Sequence, residues 1–543
     1  MKRDTLFAVA ASTLVWLVAF PTIAADKEAD KTDLAIFAIC RVEQRAEVPG
    51  RRQHIAIESG IGDGGFPIAT TSRSAQQWFN YGIKLFHAFY HGDVKQAFDN
   101  AVAADPRCSM CLWGQALSRG PTANFDVSDE NLKSGLDIAR KAFAAARTER
   151  ERLLATAMIR RYSRAQDIAA ERDFAADLLK AEAKGPDTTD LRLLAAEVLL
   201  AAFRRGDHSA PTEAMALIEP ILHRSPENTA AIHYYIHATE FAGRPALALA
   251  YAEKLSALAP KASHLVHMAA HTFFHVGRYE DAAAINAFAL KIDAEHLTDT
   301  ATPGPPSQAD YYEHNLRFGM AGALMSGDRA LALKFADHVH RAYRDQDFVR
   351  DGLIDAEGQR LVIYARYDPT RMLSLPEPSA DNPRTRLLYH YARGEAFASL
   401  HDAAGLSREA AQVTGTDPVI TVARGVLAGR LAMLQGHFAD AARAFEAAAA
   451  QQETLLESSM DPPRWWYPIR RSAAAAWLLD GQFARAAEVA KLSLQSWPID
   501  SLALLVLSRA EDGLGRTAEA RHDGAEAIGN WEGDITKVGF TVI

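Results

Sequence analysis

A chain of 543 residues, 48% hydrophobic and 23% charged, is longer than one compact core usually serves, so two or three domains or an elongated repeat array are expected. Its net charge of −9 and isoelectric point near 6.1, with no polybasic run, exclude the electrostatic footprint of nucleic-acid binding. Alanine and leucine abound and long β-branched alternations are nearly absent, so the expected class is all-α.

The first element in chain order is a targeting segment. Lys2 and Arg3 precede an apolar run from Leu6 to Phe20, and Pro21-Thr22-Ile23-Ala24-Ala25 follows. A short apolar run ending in small residues reads as a secretory signal over residues 1–25, with an uncleaved anchor as the alternative. That run is short for a membrane span and no later run is long enough. The mature protein is therefore expected to be periplasmic or secreted, with no membrane contact after cleavage. Residues 26–71 mix charge with glycine and proline ("GIGDGGFP") and read as an irregular lead-in.

From Ser72 the helical period begins, and residues 72–205 form a first helical region. Trp78, Gly82, Ala97, Phe98, Ala101 and Pro106 stand close to the pattern of a tetratricopeptide (TPR) unit, a helix–turn–helix of 34 residues, with one ambiguity of register. Cys108-Ser109-Met110-Cys111 comes next. Leu112 stands where c-type haem attachment needs histidine, and a zinc ribbon would need a second cysteine pair. A helix beginning after Pro106 would lower the Cys108 pKa, which is the redox reading. An oxidising compartment favours a disulfide, either within Cys108/Cys111 or from one of them to Cys40, with a soft-metal site at Cys108, Met110 and Cys111 as a lesser reading. Asn131–Lys184 and Asp190–Phe203 read as further amphipathic helices.

Residues 206–345 carry the densest signal. Six of the nineteen histidines fall between Thr229 and Arg278, and the pairs His233/His237 and His267/His271 lie 34 residues apart. Gly243, Gly277, Gly327, Gly436, Gly481 and Gly515 mark the turns between paired helices, at intervals that include 34, 50, 45 and 34 residues. The 50-residue interval holds a proline-rich insert at 297–308, which a helix cannot absorb. Residues 346–543 form a C-terminal TPR-like region. The predicted fold is an all-α TPR-like solenoid of antiparallel helix pairs.

Counting from a turn glycine at position 15, Val266, Ala269, Ala270 and Phe273 fall on the buried stripe of one unit. Ile232, Tyr235, Ile236 and Thr239 do so in the preceding unit. The histidines share another stripe, with Glu240 at position 12, and in TPR proteins that stripe lines a concave ligand-binding face. A third unit adds His314 and Arg317 after Tyr311 and Tyr312. Histidines four residues apart sit one above the other on a helix, and neighbouring helices lie roughly 8–10 Å apart. His233, His237, His264, His267, His271, His275 and His314 are therefore candidate ligands of a divalent transition metal: zinc, copper, nickel or iron. Glu240 is the candidate general base should the metal keep an open position, and Tyr311 and Arg317 are candidate groove residues. Solvated or internally hydrogen-bonded histidines are the alternative.

"HYYIHATEFAGRP", "HLVHMAAHTFFHVGRY" and "YYEHNLRFGMAGALMSGD", together with the stretch from Phe66 to Pro121, resemble a set of bacterial secreted TPR proteins with paired-histidine motifs. The resemblance covers about half the chain, from Phe66 to Asp328. It implies a TPR-like helical fold and no particular activity. Where many relatives have proline, this sequence has Ala269. Two readings of function follow. One is a periplasmic metal-binding TPR protein, with a metal-dependent enzyme as its extension. The other is a scaffold that holds a protein or peptide partner in the same groove without metal.

Overall fold

The computed structural model describes residues 55–543 except 165–166, 186–188, 299–310, 343–350, 380–382 and 457–462. The signal segment, Cys40 and nearly all of the proline-rich insert lie outside the described residues. Those residues form twenty-four α-helices and no strand, packed as successive antiparallel pairs in a TPR-like solenoid. None of the described helices is long and apolar enough to cross a membrane.

The first fourteen helices position the site. They are α1 (Arg73–His87), α2 (His91–Ala104), α3 (Ser109–Leu117), α4 (Asp129–Ala145), α5 (Glu149–Ser163), α6 (Ile168–Glu182) and α7 (Thr189–Phe203). These are followed by α8 (Ala210–Arg224), α9 (Thr229–Phe241), α10 (Leu249–Leu258), α11 (Ser263–His275), α12 (Tyr279–Thr298), α13 (Tyr312–Ser326) and α14 (Arg329–Ala342). Ten more complete the array between Asp351 and Gly529. Local chemistry sets the boundaries. The Asn228 side chain caps α9 by accepting from Ala231 N at 2.8 Å. Thr148 and Glu151 form a reciprocal capping box at the start of α5. Gly243, Gly277 and Gly327 end their helices at φ of 67°, 84° and 77°, a left-handed conformation that costs other residues about 1–2 kcal/mol.

Array curvature has a consequence for the histidine stripe. The helices α7, α9 and α11 are buried around nearly their whole circumference, as happens when a helix has neighbours on every side. The array bends so that α1 comes alongside α9, and the α1–α2 turn fills the hollow. The groove expected from the sequence is therefore not open to solvent at the histidines. Position numbering within one unit cannot foresee that a distant unit will cover its concave face.

The stretch 55–71 contains no helix, yet it is tied to the same layers. Lys261 N donates to Gly60 O (3.0 Å), and Gly65 N donates to Asp190 Oδ1 (3.0 Å). Asp63 Oδ2 accepts from Thr229 N at 2.9 Å, satisfying a free donor in the first turn of α9. At the other end of the chain, Trp497 packs edge-on against Phe274 with ring centres 5.7 Å apart, and Tyr279 donates to Pro498 O at 3.0 Å. The central units are thus held from both sides. Cys108 and Cys111 are joined by a disulfide at the start of α3.

Candidate metal centre

Three helices supply the imidazoles: α9 gives His233 and His237; α11 gives His264, His267, His271 and His275; and α13 gives His314. Each helix is the first of its pair, so the helices lie side by side and histidines from equivalent positions meet. Six of the seven are buried, with His314 at 4% the most exposed of them. His275 sits at the edge, its side chain 16% exposed.

The rings fall into two sets of three. Each of His267, His271 and His314 offers a nitrogen within 4.8 Å of the other two, and His233, His237 and His264 do the same. His237 and His271 also converge with Glu240 within that span, so the two sets adjoin. In the first set His267 Nε2 lies 3.0 Å from His271 Nε2 and 2.9 Å from His314 Nε2. In the second His264 Nε2 lies 3.2 Å from His233 Nε2. Two nitrogens on one tetrahedral zinc stand about 3.3 Å apart.

The outer nitrogens show which face of each ring carries its lone pair. His267 Nδ1 donates to Asn286 Oδ1 (2.7 Å), whose orientation is fixed because Asn286 Nδ2 donates to Ala282 O (2.7 Å). His271 Nδ1 donates to Glu240 Oε2 at 2.9 Å, and His233 Nδ1 donates to the backbone carbonyl of His87 at 2.6 Å. A neutral imidazole with its proton on Nδ1 carries a lone pair on Nε2. These are the carboxylate and carbonyl partners that orient histidine ligands at metal sites.

Electrostatics agrees with neutral rings at His233, His237, His264, His267 and His314. Burial, reinforced by the neighbouring imidazoles, depresses His237, His264, His267 and His314 well below the usual histidine range. Burial lowers His233 to about 3, against a backbone hydrogen bond that works to raise it. For Glu240, burial works to raise the carboxyl, but the His271 charge and hydrogen bonds from His271 and His275 outweigh it and hold it well below the usual range. Its two carboxylate oxygens accept from His271 Nδ1 at 2.9 Å and His275 Nε2 at 3.0 Å. That places it as an orienting group for the imidazoles rather than a free base.

His237 stands apart. Both ring nitrogens are buried and neither has a hydrogen-bond partner. Leaving a buried polar group unsatisfied costs about 1–3 kcal/mol. The ring lies between the two sets, its centre 5.1 Å from that of His233 and 5.6 Å from that of His271.

The cover over the cluster is aromatic. Phe89, fully buried, sits edge-on to His233 at 4.4 Å and stacks on His264 at 5.3 Å and His237 at 6.0 Å. It adopts φ 57°, left-handed for a non-glycine residue. On the other flank the Tyr311 ring lies 4.1 Å from His264, and its hydroxyl accepts from Asn124 Nδ2 (3.0 Å) and lies 3.3 Å from His91 Nε2. Tyr311 therefore closes the chamber instead of lining an open groove. Arg317 is engaged by Glu313 (3.5 Å) and Asp355 (3.7 Å).

Sequence reasoning missed Phe89, His87 and Asn286. Phe89 was within reach: with Trp78 at position 4 and Gly82 at position 8, Phe89 takes position 15, where the other units have glycine. An aromatic residue at a position that needs φ above zero is a signal of local strain. His87, at position 13, bonds Tyr234 OH (2.9 Å) and Asp190 (3.2 Å) and presents its carbonyl to His233.

No family model matches the chain, and no curated protein matches it. Among solved structures, a monomeric variant of IFIT1 with Gppp-AAAA is similar at 12% identity and a TM-score of 0.33, covering 83% of this chain and 94% of that one. The TPR domain of P58(IPK) is similar at 14% identity and a TM-score of 0.22, covering 85% and 94%. The human IFIT1 dimer with m7Gppp-AAAA is similar at 12% identity and a TM-score of 0.31, covering 85% and 91%. Gppp-AAAA and m7Gppp-AAAA are ligands of IFIT1, and no ligand of this chain follows from them.

Proposed function

We propose that this is an exported TPR-type protein that binds a transition metal through the buried histidines of its central units. One observation carries the reading. The Nε2 atoms of His267, His271 and His314 converge within hydrogen-bonding distance, while His267 and His271 spend their Nδ1 protons on Asn286 and Glu240. Two neutral rings facing each other with lone pairs repel unless a cation lies between them. A proton serves one such pair; a metal ion serves all three nitrogens at once. The donor set suits zinc, copper, nickel or iron and is wrong for magnesium or calcium, which take oxygen.

The test is elemental analysis of the full chain purified without a histidine tag, beside the His267→Ala/His271→Ala double variant. Bound metal in the parent and its loss in the variant support the reading. No metal in either after incubation with zinc, copper, nickel and iron ions overturns it.

A second reading, a scaffold for a protein or peptide partner, is favoured by a different part of the array. A cavity of about 440 Å³ in the C-terminal region is lined by Arg366, Arg430, Arg471, Trp466 and Tyr467. Arg430 donates to Ile543 O at 2.6 Å and Arg366 to Val542 O at 3.4 Å, so the short 3-10 turn Phe540–Val542 and Ile543 already lie against it. A partner peptide would be received there rather than at the covered histidines.

A further inference from the structure

A single ion at His267, His271 and His314 leaves the other three imidazoles without a role. We infer that the six histidines hold two ions as an adjoining pair, the second on His233, His237 and His264, and that both ions are copper(I). The inference rests on the metal-binding reading above and adds the number and identity of the ions.

The second set has its own signs of a ligand. His233 has its Nδ1 fixed by the His87 carbonyl, so its Nε2 lone pair faces His264. His237 is buried with both nitrogens unpartnered, and His264 Nδ1 is unpartnered as well. An ion held by all three rings would engage His237 and account for its burial. Because His237 of one set and His271 of the other share a 4.8 Å span with Glu240, the two ions would be neighbours, not separate sites.

Charge selects the metal. The six proposed ligands are imidazoles, which bind an ion through a neutral ring nitrogen, and among the described residues the carboxylate grouped with them is Glu240. Two divalent ions on this set would leave roughly three uncompensated positive charges in a chamber closed by Phe89 and Tyr311, whereas two monovalent ions leave roughly one. Among first-row metals that take imidazole, copper binds most tightly as a divalent ion and also has a stable monovalent state. Three nitrogen donors make a complete coordination shell for it.

The experiment is an anaerobic titration of the full chain with copper(I) against a bicinchoninate competitor, with zinc(II) run in parallel. Two copper(I) per chain are expected in the parent, one in His233→Ala/His264→Ala and one in His314→Ala, with helix content checked by circular dichroism. One copper in the parent overturns the pair. Zinc(II) held in preference to copper(I) at both sites overturns the identity while leaving the metal-binding reading standing. No metal of either kind overturns that reading too. Should the variants fail to fold, X-ray absorption of the loaded parent decides. A monovalent copper edge with a shell of three nitrogens supports the pair, and a shell containing sulfur or oxygen overturns it.

Discussion

His267 and His271 stand one helical turn apart on α11 and face each other Nε2 to Nε2 across 3.0 Å, each held from behind by a different partner. That geometry makes Asn286 a positioning residue. Without its carbonyl oxygen, His267 loses the bond that keeps the proton on Nδ1 and the lone pair on Nε2. Asn286→Ala should weaken metal binding about 10–100-fold, the usual effect of losing such an outer partner. Competition titration checks it, and unchanged affinity would show that packing alone orients the ring.

Glu240 holds His271 and His275 through both carboxylate oxygens. Glu240→Gln keeps a hydrogen-bonding group of the same shape but removes the negative charge. If that charge helps to balance bound cations, affinity should fall by about tenfold, or roughly 1.4 kcal/mol, while the helix content stays constant. An equal affinity in the variant would limit Glu240 to hydrogen bonding.

Phe89 combines a strained backbone with a fully buried ring against three histidines. Removing the ring by Phe89→Ala should cost about 3–5 kcal/mol, the usual range for a buried phenylalanine. Phe89→Gly loses the same ring but relieves the left-handed φ, so it should be more stable than the alanine variant by about 1 kcal/mol. Urea unfolding of the two variants measures the difference. A glycine variant less stable than the alanine one would contradict the strain assignment.

The architecture was legible because repeats announce themselves. The turn glycines Gly243, Gly277 and Gly327 do adopt positive φ, and the equivalence of His233 with His267 and of His237 with His271 follows from one 34-residue step. What the sequence could not convey is contact between units far apart in the chain. Phe89 reaches His233 across 144 residues, and Tyr311 meets Asn124 across 187. Those contacts turn an expected groove into a closed chamber, and no local pattern encodes them. Likewise the division of the histidines into two sets depends on ring directions that helical position alone leaves open.

Glu197 on α7 is buried, with Oε1 accepting from Ala123 N at 2.6 Å and Oε2 without a partner. Burial dominates, outweighing the nearby Arg161, and raises its carboxyl from 4.5 to about 7. Below pH 4.5 the carboxyl is protonated in both folded and unfolded chains, so it adds no penalty. Between there and pH 7 the unfolded chain ionises while the folded one keeps its proton, and stability is lost as pH rises. Above pH 7 the full penalty stands, on the order of 3 kcal/mol for a shift of this size. Glu197→Gln keeps the acceptor for Ala123 and cannot ionise. The variant should match the parent in thermal unfolding near pH 4.5 and exceed it at pH 8. Parallel stability curves across that range would mean that Glu197 keeps an ordinary carboxylate pKa in the folded protein.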